Sequence, residues 1–379
     1  MSPASEAELA GMIADAKGPL RIVGGGTRSI GAPNAGEVLS LSALSGVELY
    51  EPGALTLVAR SGTPLAEIEA LLDAEGQMLP FEPPHMGALL GRNGASTIGG
   101  VVATNASGPR RFQAGACRDS LIGVRFVDGS GTVLKNGGRV MKNVTGYDLV
   151  KLMAGSWGTL GVMSEVAFKV LPKLNGATLA VRVKSDAAAL EAMTQATTSP
   201  FDVNGAAYVP GEAVYLRVEG LESSVSYRTE RLRALIGGEI DLIDDPVASE
   251  NLWKRLRDVQ DFKEGSAAVW RISMKPSDMV QELIAGMHET VGFDYRLDWA
   301  GGLAWVRLTE EAGVTEFHNK LQELCLSVGG HATLVKGPET VLSEVSVFQP
   351  EAAGVARLSR GLRQQFDPRG ILNAGLMGA

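Results

Sequence analysis

The chain has 379 residues, 45% hydrophobic and 21% charged, an ordinary globular composition that excludes wholesale disorder. Its 43 acidic residues outnumber 35 basic ones, so no basic excess exists to neutralise nucleic-acid phosphates. With only Cys117 and Cys325, the composition argues against a disulfide framework and against a cysteine-built metal or iron–sulfur site.

The length predicts two or three domains. Residues 5–17 carry Leu9, Met12, Ile13 and Ala16 on one face and stop at Gly18, the pattern of a helix. A short strand over 20–23 runs into Gly24-Gly25-Gly26-Thr27. Strands are predicted over 38–41, 47–50 and 55–59, the last two joined by a turn at Pro52-Gly53. Pro64 suits the first turn of a helix that reaches Glu75 and is capped by Gly76. Residues 122–134 read as a hairpin through 128–131, and 164–170 alternate as a strand up to Pro172. A domain boundary is placed near 172–176.

Beyond it, strands are predicted over 178–183, 214–218, 268–273, 294–298, 303–308 and 331–335. Helices are predicted over 186–197, 223–236, 277–288, 314–327 and 352–366. Strands separated by single helices predict an α+β domain with a mixed or antiparallel sheet covered on one side. The N-terminus is acidic and lacks the regions of a signal peptide, and no apolar run approaches the roughly 18 residues of a membrane span. A cytoplasmic protein is expected, with attachment to the inner membrane through other subunits left open.

Glycine is unevenly spread. Of 47 glycines, 27 fall in residues 1–161, and 16 of those lie between Gly87 and Gly161. Dense glycine inside folded sequence signals positive φ angles or close backbone approach. Tight turns account for part of it, and the remainder suggests a large ligand lying against bare main chain. Three segments stand out. The 24–27 loop follows a strand, where successive N–H groups can form a nest for phosphate oxygens, though it is equally readable as a turn. It does not meet the G-x-G-x-x-G spacing, because Ser29 holds the third glycine position. Residues 96–108 combine hydroxyls, an asparagine and very small side chains, a poor helix core but a good surface for a flat, hydrogen-bonding ligand. Close helix–sheet packing is the other reading. Residues 155–162 add a third loop entering a strand.

These segments, with Pro109-Arg110-Arg111, 115–119 and Phe366-Asp-Pro…Asn373, together resemble FAD-binding proteins of the vanillyl-alcohol-oxidase type. The resemblance implies a PCMH-type FAD-binding domain of two α+β subdomains with a cap domain over the flavin. It implies domains at 1–173 and 174–350, and a C-terminal helix and tail, 351–379, returning to the first. Residues 79–85, 140–148 and 330–334 are similar to the FAD-binding subunits of glycolate oxidases.

The resemblance also implies roles. Val23, Gly24, Gly25, Gly26, Thr27 and Arg28 would meet the pyrophosphate. Ser96, Thr97, Ile98, Gly99, Gly100, Thr104, Asn105, Ala106, Ser107, Gly108 and Arg110 would line the pyrophosphate, ribityl chain and flavin edge. Gly158, Leu160, Gly161 and Val162 would meet the adenine half, and Asn373 would hydrogen-bond near the isoalloxazine. The first loop offers Thr27 and Arg28 but no histidine, so noncovalent FAD is expected, and Cys117 reads as a buried structural thiol.

Stand-alone FAD-dependent 2-hydroxyacid dehydrogenases of this superfamily carry an H-x-x-D-G-N-x-H metal motif in the cap. Here the corresponding stretch, 298–305, begins at Asp298, ends at Trp305 and has no histidine. His85, His288, His318 and His331 are scattered without ligand spacing, so no metal is expected and no catalytic residue is assigned. Arg110, Arg111, Lys142 and Tyr147 are readable either as charge for a carboxylate or flavin edge, or as partners of FAD phosphates and neighbouring acids. The expected function is an FAD-binding subunit of a complex that oxidises glycolate to glyoxylate, auxiliary to a catalytic flavoprotein subunit and an iron–sulfur subunit. The alternative is a stand-alone FAD-dependent dehydrogenase of D-lactate or a similar small 2-hydroxyacid. A solitary electron-transfer module is the weaker third.

Overall fold

A computed structural model describes residues 1–31, 36–138, 146–265, 268–288, 291–308, 310 and 313–378. Near the N-terminus, β1 (Leu20–Val23) pairs in parallel with β2 (Glu37–Ser40). The helix Glu6–Asp15 covers them, its Leu9 and Ile13 fully buried, and Ser5 caps it by accepting from the Glu8 N–H. The C-terminal tail completes this small unit: the Leu20 N–H donates to the Ile371 carbonyl at 2.7 Å, and Ile371 and Leu372 join the same core.

A second sheet follows, in the order β3 (Val47–Glu51), β4 (Thr56–Arg60), β8 (Val162–Lys169), β6 (Leu121–Val127), β7 (Val133–Gly137), with β5 (Gln77–Met78) and β9 (Leu171–Pro172) pairing apart. The helices Leu65–Ala74 and Ile98–Ala103 pack on it through Leu65, Ile68, Ile98 and Val101, against Leu57, Phe126 and Phe168. The second of these helices forms inside the segment read as a poor helix core. Thr97 caps it, and the Ile98 and Gly99 N–H groups find acceptors in the Thr63 and Ser61 carbonyls.

The remaining strands are β10 (Gly176–Val181), β11 (Gly205–Val209), β12 (Ala213–Glu219), β13 (Ile240–Ile243), β14 (Val269–Ser273), β15 (Phe293–Asp298), β16 (Leu303–Leu308) and β17 (His331–Lys336). They form one sheet in the order β13-β10-β12-β11-β15-β16-β14-β17, antiparallel at every ladder. Sequence reading passes over β11 and β13. β11 reads Gly-Ala-Ala-Tyr-Val, a weak strand former, and its glycine is dictated by tertiary contact, since a Cβ at Gly205 would lie 2.7 Å from the Trp253 ring.

Helices Asp186–Thr198, Glu222–Ile236 and Val314–Val328 cover one face of this sheet through Met193, Leu232, Phe317 and Leu321. The expectation of a single covered face is corrected by the other side. There the helix Pro246–Arg257 sets Trp253 and Leu256 on Ala180, Ala207 and Tyr215. Farther along, Met86 and Leu89 of the N-terminal half meet Val269, Trp299, Leu303, Trp305 and Val335. Period-two alternation divides each strand between these faces: Trp270 and Ile272 enter the helix-covered core, while Arg271 points toward the N-terminal half.

Candidate functional site

The loop after β1 is pressed against residues 94–97. A Cβ on Gly24 would lie 2.3 Å from Thr97 Oγ1, and one on Gly25 would lie 1.5 Å from the Ala95 carbonyl oxygen. These glycines are therefore required by the protein's own loop-to-loop contact. The same holds at Gly108, against the Glu82 carbonyl, and at Gly161, against the Phe126 ring. The glycine-density argument is corrected accordingly: much of the bare main chain faces other main chain.

What that contact leaves over is a row of donors. Among the described residues, the N–H groups of Gly24, Gly25, Gly26, Thr27 and Arg28 have no hydrogen-bond acceptor. Thr27 and Arg28 are nine-tenths buried or more. Arg28 donates through Nη2 to the Pro84 carbonyl and to Ser96 Oγ, while its buried Nε has no acceptor. Burial pulls its pKa down to about 10. Gly24, Gly25 and Gly26 are only half-buried, so their N–H groups are open to solvent or to an oxyanion, and consecutive donors of this kind can form a nest for one.

Beside the loop, a cleft of about 250 Å³ opens between the two halves of the chain. Arg28, Thr104, Asn105, Ala106, Ser107 and Arg111 line it from the N-terminal side. Asn105, at φ +47°, accepts the Arg118 N–H through Oδ1, and Ser107 Oγ accepts the Cys117 N–H, so the turn is held from behind. Burial pushes the Cys117 thiol far up, consistent with a structural role. The cap contributes Arg271, Trp305, Thr333, Val335 and Phe348. Arg271 stands directly opposite Trp305 on β16 and Thr333 on β17, so three neighbouring strands present one row to the cleft. Thr27 and Ser96 line a neighbouring opening of about 430 Å³ with His85, Arg92 and Lys263.

Other expected residues sit elsewhere. Ile98, Gly99 and Val162 are fully or almost fully buried, and Leu160 is packed in the same core as Ile98. Gly100 borders Thr97 and Arg28, and Val23 ends β1 opposite Ser40. Gly158, at φ +72°, abuts the Asn373 amide. Asn373 Oδ1 accepts the Ile22 N–H and its Nδ2 donates to the Trp157 carbonyl, both at 2.8 Å, so this amide ties tail, β1 and loop together. Arg110 departs furthest from expectation. Its guanidinium pairs with Glu219, within a buried network in which Arg217 grips Glu82 bidentately at 2.9 and 2.8 Å. That network joins the two halves away from the cleft. Tyr147 is exposed, and Lys142 lies outside the described residues, as does most of 140–148.

Sequence reading misses Arg271 and the role of Trp299. Arg111 and Arg271 rest on the Trp299 ring at 4.4 and 5.0 Å from its centroid, and Trp299 Nε1 donates to the Gly108 carbonyl. The signal is a single charged residue in the middle of β14, between the apolar Trp270 and Ile272. Among the described residues, no group of three or more His, Cys, Asp or Glu is placed to hold a metal ion.

Comparison with known proteins fits this geometry. Residues 1–137 match the family model FAD_binding_4, described as an FAD binding domain. The chain is 37% identical over 363 residues, 95% of its length, to glycolate oxidase subunit GlcE of Escherichia coli (strain K12), covering 93% of that protein. The chain belongs to the GlcE family of glycolate oxidase subunits. It is also 27% identical, over 94% of its length and 85% of the relative's, to a D-lactate dehydrogenase of Archaeoglobus fulgidus. Among solved structures, alkyldihydroxyacetonephosphate synthase shares the fold, with a TM-score of 0.70 at 17% identity over 99% of this chain and 75% of that one. Family and fold thus agree with the PCMH-type α+β assignment, and the cofactor is FAD. The row of unsatisfied donors at 24–28 suits its pyrophosphate.

Proposed function

We propose that this chain is an FAD-carrying subunit of a glycolate-oxidising complex, which converts glycolate to glyoxylate and in which it assists a catalytic flavoprotein subunit and an iron–sulfur subunit. The observation that carries the reading is the 24–28 loop, where five consecutive N–H donors have no acceptor among the described residues, beside the buried Arg28 whose Nε has none there either. In this reading the loop holds the FAD pyrophosphate, and Thr104, Asn105, Ala106 and Ser107 face the flavin end of the cofactor. Ser96, Thr97 and Gly100 stand between the two. Ile98, Gly99, Gly108, Leu160, Gly161 and Val162 shape the groove from the core, and Asn373 with Gly158 braces it. FAD supplies the two-electron acceptor that hydroxyacid oxidation requires. The loop presents no imidazole to tether it, so the cofactor is held noncovalently.

The relationship to GlcE over nearly the whole chain supports membership of a complex. So does the helix Ala353–Phe366, which has no buried residue and exposes Val355, Leu358 and Leu362 along one side, a surface that subunits commonly bury. No helix among the described residues is long and apolar enough to cross a membrane.

The D-lactate dehydrogenase relationship and the cationic cleft favour a second reading, a dehydrogenase that works alone. Anaerobic mixing of the purified yellow protein with glycolate or D-lactate separates the two. Under the first reading the flavin spectrum persists until the partner subunits are added. Bleaching by the isolated chain overturns it in favour of the second, and a colourless chain that takes up no added FAD overturns both.

A further inference from the structure

The helix Ala353–Phe366 is packed the wrong way round. Two stripes at helical spacing run along it. Ala356, Ser359, Arg363 and Phe366 form the half-buried stripe that faces the body of the protein. Only Phe366, 6.1 Å from the Phe126 ring, brings a large apolar group to that side. Arg363 donates through Nη2 to the Met377 carbonyl, and Ser359 Oγ donates to Glu351 Oε1. The other stripe, Val355, Leu358 and Leu362, is 52%, 66% and 39% exposed. A surface helix ordinarily buries its large aliphatic side chains and shows its small and polar ones, and here the chain's own packing does the reverse.

Leu358 stands at the centre of the outward face. Val355 and Leu362 flank it on one side, three positions before and four after, and Gly354 and Gly361 flank it on the other, four before and three after. A Cβ on either glycine would meet nothing within 4 Å, so no contact inside the chain requires them. Glycine in a helix is unfavourable relative to alanine, and nothing within the chain offsets that loss. A large apolar knob between two notches is a surface into which the side chains of a second helix interdigitate. Charge says which kind of helix. No acidic residue occurs between Glu351 and Asp367, while Arg357 and Arg360 are exposed on the far side of the glycines. Glu351 and Asp367 themselves are engaged, by Ser359 and by the Leu372 N–H. A second copy of the chain offers the same arginines, with no acid on this helix to meet them. A lipid surface has no use for the notches, the exposed stripe holds no aromatic anchor, and a chain of net charge −8 is repelled by anionic lipid.

We propose that the outward face of the helix Ala353–Phe366 docks an amphipathic helix of a partner subunit. The apolar stripe of that helix seats against Leu358 and the two glycines, and aspartate or glutamate along its border faces Arg357 and Arg360. The proposal deepens the function proposed above, on which it rests for the existence of a complex, by giving that complex a contact surface and the chemistry of the counterpart. No residue of this face is among those assigned to the cofactor.

The test measures association of the FAD-loaded full chain with the purified flavoprotein and iron–sulfur subunits by analytical ultracentrifugation, with flavin content and thermal unfolding of each variant recorded alongside. Leu358→Glu is expected to weaken association at least about tenfold while flavin content stays at its parental value. Gly361→Leu fills a notch with a better helix former. It is expected to weaken association to a similar degree while the unfolding temperature holds or rises, which separates lost docking from lost folding. Arg357→Glu with Arg360→Glu is expected to weaken association at least about fivefold and to abolish its decline with added salt. A photoreactive residue in place of Gln365 is expected to crosslink to an acidic, amphipathic helical segment of a partner subunit. Parental affinity in either Leu358→Glu or Gly361→Leu overturns the docking and leaves the proposed function standing. Dimerisation of the isolated chain that Leu358→Glu abolishes assigns the face to a second copy, and sedimentation with phosphatidylglycerol vesicles that Leu358→Glu abolishes assigns it to lipid. Either result overturns the proposal. A parental chain that holds FAD but joins neither subunit sinks the proposed function and the docking with it.

Discussion

The two walls of the cleft are built from different materials. The N-terminal side offers short side chains at 104–107 and, beside them, a main-chain surface: glycines at 24 and 25 let two loops touch and leave a row of N–H donors without acceptors among the described residues. The cap wall is side chain: Arg271, Trp305 and Thr333 form one row because three antiparallel strands hold them in register. A backbone wall recognises any oxyanion that reaches it, whereas a side-chain wall sets shape and charge for a particular ligand. The comparison teaches where variation should matter. Changes in the first wall disturb folding and cofactor retention together, and changes in the second alter ligand choice while the fold survives.

The sharpest way to break that comparison is to separate the walls. Glu82, on the N-terminal side, is gripped by Arg217 of the cap and also accepts the Arg110 N–H. Burial alone would raise its pKa, but Arg217 and Arg110 outweigh burial and hold it below the ordinary carboxylate range. Glu82→Ala takes from the buried Arg217 its bidentate partner and leaves it Glu219 alone, at 3.5 Å, and a loss of about 3–5 kcal/mol is expected in denaturant unfolding. A change under 1 kcal/mol would show that the halves are held by other means.

Asp298, at the root of the Trp299 turn, gives the next largest effect. Burial raises its pKa to about 7, above the 3.8 of a free aspartate. Between those values the folded state binds more protons than the unfolded, so stability falls as pH rises from 4 to 7 and stays low above. The shift of about three units sets an upper bound of about 4 kcal/mol. Asp298→Asn should match the parent near pH 4 and exceed it at pH 8. Parallel pH profiles for the two proteins would refute this.

Gly25→Ala tests the backbone wall, because its Cβ would meet the Ala95 carbonyl at 1.5 Å. Forced separation of the loops is expected to cost about 3 kcal/mol and most of the bound flavin. Unaltered flavin content would mean that loop contact is dispensable. The smallest effect is expected from Asn373→Ala, which deletes two hydrogen bonds among tail, β1 and the 155–158 loop, for about 2 kcal/mol in thermal unfolding. Intact stability in that variant would remove the tail from the cofactor-binding unit.

Much of the architecture was legible before the structure. One apolar face at helical spacing marked helix Glu6–Asp15, the Pro64 start marked Leu65–Ala74, and alternation marked β8. The glycine-rich segments were legible as places of close approach, although the notion of a ligand there is not what sets them, since Gly24, Gly25 and Gly161 answer first to protein contacts. Arg110 was misplaced beside the flavin because its neighbour Arg111 shares its chemistry, and only the path of the short helix Arg111–Ala114 decides which of the two enters the cleft. β11 was invisible because Gly205 and two alanines carry no strand signal until Trp253 covers them.

By itself, the sequence determined most of the secondary elements, though not β11, β13 or the helix Ile98–Ala103, because helix periodicity, strand alternation and turn glycines are local properties written residue by residue. Tertiary structure alone decided the second wall. Arg111 and Arg271 are 160 positions apart, and their meeting on Trp299 depends on strand register and on a left-handed turn, neither of which any short stretch of the chain encodes.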